Sequence, residues 1–351
     1  MRIGFLVNDL AGELADYTTT VLAVAALARG HEIWYAGVED FAYDPDEHVV
    51  MHARGLPKKK GKPPKDGAAL LELLGGDDAR REKLLIDDVD VLLLRNDPAE
   101  DTARPWAQTA GILFGQLAAR RGTLVLNDPI GLSKAINKLY FQLFPEEVRP
   151  RTLITRHPEE VRAFLDDLGG NAVLKPLLGS GGHNVFAVRD GDLSNFNQIL
   201  DVLGREGYIV TQELLPEALE EGDVRLFLLN GLPLVADGEY CAYRRVPSGG
   251  DLRSNITAGG EIEPAKIEER HLRVAELVRP KLIQDGMFLV GLDIVGAKLM
   301  EVNVFSPGGV NLAGKIVGAD FSSEVIVAIE RKIAWQEAYR GGFSNVELAT
   351  L

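Results

Sequence analysis

Three oxygen-bearing side chains lie close together near the C-terminal end of the sequence. Glu301 and Asn303 are two residues apart in Met-Glu-Val-Asn-Val, and Asp293 lies in the apolar run Phe-Leu-Val-Gly-Leu-Asp-Ile-Val. Side chains at i and i+2 of a strand leave the same face, and a hairpin turn through Gly296 and Ala297 would bring Asp293 alongside them. Such oxygen ligands suit Mg²⁺, which commonly binds one or two carboxylates together with substrate phosphates. The pattern predicts a metal site; the alternative, open from these residues alone, is Asp293 at a strand end and Glu301 facing solvent.

A glycine-rich segment lies where two strands are predicted to turn back on each other. Predicted strands at 172–175 and 184–188 flank the sequence Pro-Leu-Leu-Gly-Ser-Gly-Gly-His. Glycines let a backbone approach a ligand closely, and successive amide groups in such a turn can bind phosphate oxygens. The segment lacks the Gly-Lys-Ser/Thr of a Walker A loop, and no helix follows it as in a dinucleotide-binding turn. Lys175 and Lys138 could add positive charge, although a surface position is the alternative for either lysine considered alone.

A polar segment from 243 to 260 has the composition of a mobile lid. It holds four glycines and three arginines, with almost no apolar residues between Val246 and Ile256. Segments of this length in compact domains are lids over a site or disordered linkers, and a lid is the commoner case. Arg253 and Asn255 are suitable donors to a phosphoryl group. Arg225, two residues after Asp223 on a predicted strand, is a further candidate.

Composition limits the classes of protein that the sequence can encode. The 351 residues, 46% of them hydrophobic, are enough for two or three domains, each with its own core. The net charge of −14 argues against general nucleic-acid binding, because neutralising a phosphate backbone needs a basic surface. No apolar run approaches the roughly 20 residues of a membrane helix, and a single cysteine, Cys241, excludes an internal disulfide. We therefore expect a soluble cytoplasmic protein that binds neither nucleic acid nor membrane, with the lysine-rich stretch 58–65 as a solvated linker.

Strands and helices alternate in the first part of the chain, which predicts an open α/β domain with parallel strands and helices on both faces. The predicted strands are 3–7, 32–36, 89–95 and 123–126, the predicted helices are 18–29 and 106–121, and a polar section covers about 44–68. Asn127-Asp128-Pro129 breaks the pattern and predicts a domain boundary.

The rest of the chain is predicted to form two further domains. Helices are expected at 132–143, 158–168 and 268–285, and strands at 152–155, 209–212, 224–229, 234–236, 288–295 and 299–304, in addition to the glycine-tipped hairpin. The expected domains are 1–127, 128–212 and 213–335. The tail 336–351 is expected either to form a helix on a partner or to be mobile.

Placed in order, the motifs of this chain resemble those of the ATP-grasp ligases, and among these the bacterial glutathione synthetase family. The resemblance covers residues 1 to about 335, and so many ordered motifs rarely coincide by chance. The motifs are Arg95-Asn-Asp-Pro98, Asn127-Asp-Pro129, Lys138, Lys-Pro-Leu-Leu-Gly-Ser-Gly-Gly at 175–182, Gln212-Glu213-Leu-Leu, Gly222-Asp223-Val-Arg225, Arg253-Ser-Asn-Ile-Thr-Ala-Gly-Gly, Gly291-Leu-Asp-Ile-Val-Gly and Glu301-Val-Asn-Val.

The resemblance implies a three-domain ATP-grasp architecture in which the N-terminal α/β domain precedes two domains that hold ATP between them. It implies that the nucleotide contacts come from Lys138, Lys175, the glycine segment Gly179, Ser180, Gly181 and Gly182, and from Gln212, Glu213 and Asp223. The implied metal ligands for Mg²⁺, with Mn²⁺ as the alternative, are Asp293, Glu301 and Asn303. Arg225, Arg253 and Asn255 are the implied catalytic residues, and Arg95, Arg245 and Ser306 are those expected near the substrate.

The implied reaction joins a carboxylate to an amine by way of an acylphosphate, with γ-glutamylcysteine and glycine as the leading pair. The chain departs from the family pattern after Asn303, where it reads Val-Phe-Ser-Pro-Gly-Gly, and at Leu178 and Ser180 in the glycine segment. These departures leave two alternatives open: a ligase for a different amino acid or peptide pair, and a nucleotide-binding scaffold that has lost catalysis. The substrates are in every catalytic case small molecules, and the family suggests a homo-oligomer.

Overall fold

The computed structural model describes residues 1–58, 62–179, 182–246 and 261–351. Within them, three sheets of different construction follow one another along the chain, and the sheets with their packed helices are called the N-terminal, central and C-terminal domains below. This arrangement confirms the predicted α/β fold class.

The N-terminal domain is built on a seven-stranded sheet whose central strands are parallel. Apolar runs such as Ile3 to Val7 form these strands because both of their faces are covered, which is typical of parallel sheets. Side chains alternate between the two faces, so that Leu6 joins one core while Phe5 and Val7 join the other. The strands are β1 (Arg2–Val7), β2 (Glu32–Gly37), β3 (Phe41–Tyr43), β4 (Val49–Gly55), β5 (Arg80–Leu85), β6 (Val91–Leu94) and β7 (Leu124–Leu126), in the order β3-β4-β2-β1-β6-β7 with β5 on β4.

The helices of this domain are α1 (Thr18–Ala28), α2 (Gly67–Gly75) and α3 (Ala107–Arg120). Helix α1 and helix α3 contribute to different cores, which agrees with the predicted helices on both faces. The polar section predicted for 44–68 is more structured than expected, because β4 pairs with β5 to form an antiparallel ribbon at the edge of the sheet. The alternation of exposed and buried residues in β4 is what a half-exposed strand requires.

The segment that leads to the central domain differs from its prediction. A single helix was expected over 132–143, but α4 (Pro129–Lys134) ends early and only a 3₁₀ turn, Tyr140–Leu143, follows. Helix α4 also begins earlier than predicted, because the Asp128 carboxylate accepts hydrogen bonds from the first amides and Pro129 occupies the first turn. It cannot continue through Lys138, whose backbone N–H donates to Leu177 O of the central domain.

The central domain is a four-stranded antiparallel sheet with two helices packed on it. Strands β9 and β10 pair around the glycine-rich segment, so the predicted hairpin is present. The elements are β8 (Thr152–Thr155), α5 (Pro158–Asp167), β9 (Ala172–Pro176), β10 (Phe186–Val188), α6 (Phe196–Glu206) and β11 (Ile209–Glu213), with the strand order β10-β9-β11-β8.

The C-terminal domain is built on a six-stranded antiparallel sheet in which β18 lies between β12 and β19. Strands β18 and β19 are joined by the predicted two-residue turn, whose first residue, Gly296, has a φ of 56°. The elements are α7 (Glu217–Glu220), β12 (Asp223–Leu229), β13 (Leu232–Pro233), β14 (Val235–Ala236), β15 (Glu239–Tyr240), β16 (Ala242–Val246), β17 (Glu261–Pro264), α8 (Glu269–Gln284), β18 (Leu289–Val295), β19 (Lys298–Asn303), α9 (Val310–Val317), α10 (Phe321–Ala338) and α11 (Asn345–Thr350).

The tail packs on its own chain, which neither of the two expectations for 336–351 had foreseen. Helix α10 runs through Ala338, and α11 lies against β7 and α8. Asn345 at the start of α11 accepts from Val125 N–H at 2.8 Å and donates to Val125 O at 2.9 Å, continuing the hydrogen bonding of β7. In the described ranges no helix combines the length and the apolar character that crossing a membrane requires.

Candidate active site

Two neighbouring cavities lie between the central and C-terminal domains, and they share enough residues to form one cleft. Their empty volumes are about 930 and 970 Å³. Both are lined by Lys138, Lys175, Gly179, Met300 and Glu301, which come from both sides of the domain boundary. The cleft therefore brings together residues that are far apart in the sequence, including two predicted phosphate-binding lysines and one predicted metal ligand.

Both lysines of this cleft are half-buried cations. Lys175 on β9 donates from Nζ to Gln212 Oε1 on β11 at 3.0 Å, and Lys138 donates from Nζ to Gly179 O at 2.7 Å. Burial and the nearby Lys175 ammonium lower the pKa of Lys138 to about 8, against the opposing field of Glu301. Burial likewise lowers the pKa of Lys175. Neither ammonium has a carboxylate within ion-pair distance in the described part of the chain, so an anion entering the cleft would be attracted to both.

The three predicted metal ligands lie side by side at the hairpin of β18 and β19. In the antiparallel register Asp293 is opposite Glu301, and Gly291 is opposite Asn303. Asn303 Nδ2 donates to Asp293 Oδ2 at 3.3 Å and to Gly291 O at 3.4 Å, so the amide oxygen points away from these acceptors. Glu301 is exposed in the cleft and makes no ion pair with any described residue. Two carboxylates and one amide form a donor set that fits a hard divalent cation.

Asp293 already neutralises two buried arginines. Arg225 on β12 donates from Nη2 to Asp293 Oδ2 at 2.9 Å and also from Nε to Oδ1, and Arg245 on β16 lies 2.8 Å from Asp293 Oδ2. Burial would raise the pKa of Asp293, but Arg225 and Arg245 outweigh it and hold the pKa below its ordinary value. Arg245 has a second partner, since its Nε donates to Asp223 at 2.9 Å. Of the three oxygen side chains, Glu301 and Asn303 are consequently the more available to a cation.

Gln212 and Glu213 are adjacent in β11 but occupy different environments. Gln212 is 1% exposed, lines the cleft, and donates from Nε2 to Thr152 Oγ1 at 3.2 Å. Glu213 accepts from Arg151 N–H at 3.1 Å and does not line either cavity. Side chains of successive strand residues leave opposite faces, which explains the difference.

The residues expected near the substrate lie at the junction with the N-terminal domain. Ser306 lines the cleft together with Asp97, and Arg245 lines its other half. Arg95 is 6% exposed and lies behind this wall, where it donates to Thr19 Oγ1 and to Pro307 O, both at 3.2 Å. Burial lowers the pKa of Arg95 to about 10, although Glu13 opposes the effect. Arg95 thus fixes the segment after β19 against the N-terminal domain.

Several predicted residues cannot be placed. Ser180, Gly181, Arg253 and Asn255 lie outside the described residues. Gly179 and Gly182, at the two ends of the undescribed part of the glycine segment, have φ values of 121° and 74°. These left-handed conformations favour glycine, which agrees with the expected close backbone approach.

Two contributors to the site were missed by sequence reasoning. Asp97, in the quoted Arg-Asn-Asp-Pro motif, had no assigned role, yet it lines the cleft. Asn127 accepts from Phe288 N–H at 2.7 Å and Leu289 N–H at 2.9 Å, and its Nδ2 donates to Leu289 O at 3.1 Å. Asn127 therefore joins the end of β7 to the start of β18, and its place in Asn-Asp-Pro, where the strand and helix pattern breaks, was the signal available.

Family models match most of the chain. The model described as the prokaryotic glutathione synthetase N-terminal domain matches residues 1–132, and the prokaryotic glutathione synthetase ATP-grasp domain matches residues 137–316. Three relatives called glutathione synthetase illustrate the similarity. That of Synechococcus elongatus is 34% identical over 94% of this chain and 98% of its own length. That of Escherichia coli O157:H7 is 32% identical over 88% of this chain and 91% of its own length. That of Vibrio cholerae is 30% identical over 95% of this chain and 98% of its own length.

Solved structures share the fold at lower identity. The D-cycloserine synthetase DcsG superposes with a TM-score of 0.64 at 15% identity, covering 94% of this chain and 99% of its own. The ATP-grasp ligase PsnB, solved with a minimal precursor, Mg and ADP, gives a TM-score of 0.59 at 18% identity over 95% and 98% of the two chains. At these identities the likeness confirms the three-domain ATP-grasp fold and does not extend to substrates.

Proposed function

Because this chain belongs to the prokaryotic glutathione synthetase family, we propose that it joins γ-glutamylcysteine to glycine at the expense of ATP. The observation that carries the proposal is the cleft between the central and C-terminal domains, which is lined by Glu301 and by two half-buried lysines that make no ion pair with a described residue. The triphosphate of a nucleoside triphosphate supplies the anion that would pair with these lysines. Glu301 lines the same cleft, so it could bind a divalent cation that the triphosphate carries.

In this proposal the nucleotide contacts are divided between the two domains. Lys138 and Lys175 bind phosphate oxygens, and the glycine segment from Gly179 to Gly182 covers them with backbone amides. Gln212 lies beside Lys175 and faces the adenine and ribose end, with Glu213 and Asp223 in supporting positions. Holding both the triphosphate and the acceptor in one cleft turns an encounter of separate molecules into a reaction within one complex.

The metal ligands in the proposal are Glu301 and Asn303, with Asp293 as the third oxygen donor beside its arginines. The ion would be Mg²⁺, with Mn²⁺ as the alternative, and when bound it supplies positive charge to the anionic phosphoryl group. The chain itself adds Arg225 and, from the segment outside the described residues, the predicted Arg253 and Asn255.

The chemistry has two balanced steps. The cysteinyl carboxylate of γ-glutamylcysteine attacks the γ-phosphorus of ATP, the bond to the bridging oxygen breaks, and ADP leaves with the electron pair. The glycine amine then attacks the acylphosphate carbon, phosphate leaves, and the amine loses a proton to form the amide. Arg245, Ser306 and, through Pro307, Arg95 position the carboxylate substrate at the phosphoryl end of the cleft. Exclusion of water from the cleft would protect the acylphosphate.

We further propose that the protein works in the cytoplasm as a homo-oligomer on small-molecule substrates. The single cysteine, Cys241, is buried, which is compatible with a reducing compartment. Sedimentation analysis of the purified chain measures the oligomeric state directly.

An ADP-release assay over paired acids and amines tests the proposed activity. We expect turnover that requires both γ-glutamylcysteine and glycine. Turnover only with another pair would show that the protein is a ligase with different substrates. No turnover with any pair would support the alternative of a nucleotide-binding scaffold that has lost catalysis. The control is Glu146→Gln, which removes an exposed carboxylate outside the cleft and should keep full activity, whereas Glu301→Gln should not.

A further inference from the structure

Four basic side chains form a square on the outer face of the ribbon β4–β5, and none of them lines the cleft described above. His52 and Arg54 come from β4, and Arg81 and Lys83 come from β5. The antiparallel register puts His52 opposite Lys83 and Arg54 opposite Arg81. All four side chains are exposed, whereas the intervening Ala53 is buried, so the four share one face. We call these four residues the basic square.

The square is electrostatically unfavourable without a partner. Like charges directly opposite each other on neighbouring strands destabilise a sheet. None of the four side chains makes an ion pair with a described residue. The nearby carboxylates serve other cations: Arg80 lies 2.7 Å from Glu32 and 2.8 Å from Glu82. A concentration of unpaired positive charge is also unexpected on a chain whose net charge is −14.

The square forms one wall of a groove in the N-terminal domain, whose empty volume is about 1330 Å³. The floor is made by the carboxyl ends of β1 and β2, including Asn8 and Tyr35 to Gly37. Ligands of open α/β sheets bind outside the carboxyl ends of the strands. Four carboxylates also line the groove, and each has a partner within the protein. Asp9 accepts from Ala11 N–H at 3.0 Å and Asp40 accepts from Gly37 N–H at 2.7 Å, whereas Glu39 lies 3.4 Å from Arg104 and Glu82 lies 2.8 Å from Arg80.

We propose that this groove binds a small multivalent oxyanion through its basic square, with phosphate groups as the preferred chemistry. Strands are about 4.8 Å apart and residues i and i+2 are about 6.8 Å apart along a strand, so the square matches a short chain of phosphates. Arg54 and Arg81 offer planar donor pairs that fit phosphate oxygens. A long polyanion such as nucleic acid is disfavoured, because the net charge of −14 on the chain repels it.

Isothermal titration with sodium tripolyphosphate, at low salt and without divalent cations, tests the proposal. The variant Arg54→Gln/Arg81→Gln is compared with Arg120→Gln/Arg331→Gln, which removes two exposed arginines that lie outside the groove. Both variants lose the same charge, so nonspecific attraction changes equally. We expect the first variant to bind one anion fewer per chain than the control, or to bind that anion about tenfold more weakly. Anion binding at the cleft between the central and C-terminal domains is the same in both variants, so it does not contribute to the difference between them.

Thermal unfolding of the same proteins supplies the second readout. Without tripolyphosphate the Arg54→Gln/Arg81→Gln variant should be at least as stable as the natural chain, because a like-charge pair has been removed. With tripolyphosphate the natural chain and the control should gain more stability than this variant. Equal stoichiometry and affinity in both variants would overturn the proposal. So would self-association that is lost only in the square variant while anion binding persists, since the face would then be a contact between copies of the chain.

Discussion

The Asp293→Asn substitution tests the role of the buried charges at the proposed metal site. The substitution keeps the shape of the side chain but removes the negative charge that neutralises Arg225. It also removes one of the two carboxylates that pair with Arg245. The side chains of Asp293 and Arg225 are 5% and 9% exposed, so water cannot replace the lost partner. Arg245 retains Asp223, which leaves Arg225 as the uncompensated charge. Removing one partner of a buried ion pair costs about 3–5 kcal/mol, and we expect a loss of that size.

Urea unfolding followed by tryptophan fluorescence measures the loss, with Asp167→Asn as the control. Asp167 pairs with Arg151 at the surface, where both side chains are more than half exposed, so its substitution should cost less than about 1 kcal/mol. The double variant Asp293→Asn/Arg225→Gln removes both charges and should be more stable than Asp293→Asn alone. A loss below about 1 kcal/mol for Asp293→Asn, or a double variant whose loss equals the sum of the two single losses, would refute the electrostatic reasoning.

Three further outcomes are expected. Glu301→Gln should abolish Mg²⁺-dependent ADP release, while the free energy of unfolding in urea changes by less than about 0.5 kcal/mol because the exposed carboxylate pairs with no described residue; activity at saturating Mg²⁺ would exclude Glu301 as a ligand. Burial raises the pKa of Glu13 from 4.5 to about 7, so the folded chain keeps a proton that the unfolded chain releases. The stability due to this proton is complete below pH 4.5 and is lost as the pH rises through 7. Urea unfolding should therefore show the natural chain losing about 2 kcal/mol more than Glu13→Gln between pH 4.5 and 8, and equal losses would contradict the burial argument. Gly131→Ala would place a Cβ 1.8 Å from Asp285 O and should cost about 3 kcal/mol or more in the same assay; Gly204→Ala, in open space on α6, should instead be neutral or stabilising.

Periodicity predicted those elements whose faces have a simple environment. The apolar strands β1, β6 and β18 and the amphipathic helix α8 lie within a few residues of their predicted positions, because burial on one or both faces dictates their patterns. The hairpin that pairs Asp293 with Glu301 also follows from local rules, since a two-residue turn and a period of two determine which side chains meet.

Elements whose stability comes from distant contacts were not predictable in the same way. The helix at 132–143 ends early because Lys138 N–H bonds to the central domain, and a local pattern contains no information about that partner. Strand β4 lies in a polar section and is recognisable only through its pairing with β5. The tail is ordered by Asn345, which bonds to Val125, a residue 220 positions earlier.

In the candidate site, too, the features that follow from local sequence were predictable and those that depend on distant contacts were not. Residue types and spacing predicted candidate phosphate-binding and metal-binding groups, and the structure brings Lys138, Lys175, Gln212 and Glu301 into one cleft. Spacing could not show that Asp293 forms ion pairs with two arginines. Those ion pairs depend on strand pairing, since β12 pairs with β16 on one side and with β18 on the other. Nor could it show that Arg95 lies behind the wall of the cleft rather than in it.

Oxygen-isotope transfer tests the central claim most directly. γ-Glutamylcysteine labelled with ¹⁸O in its cysteinyl carboxylate is incubated with ATP, Mg²⁺ and glycine, and the released phosphate is analysed by mass spectrometry. An acylphosphate route predicts that each phosphate carries one oxygen from the carboxylate, since that oxygen bridges carbon and phosphorus before the amine attacks. Amide formation accompanied by unlabelled phosphate would contradict the mechanism proposed for this cleft.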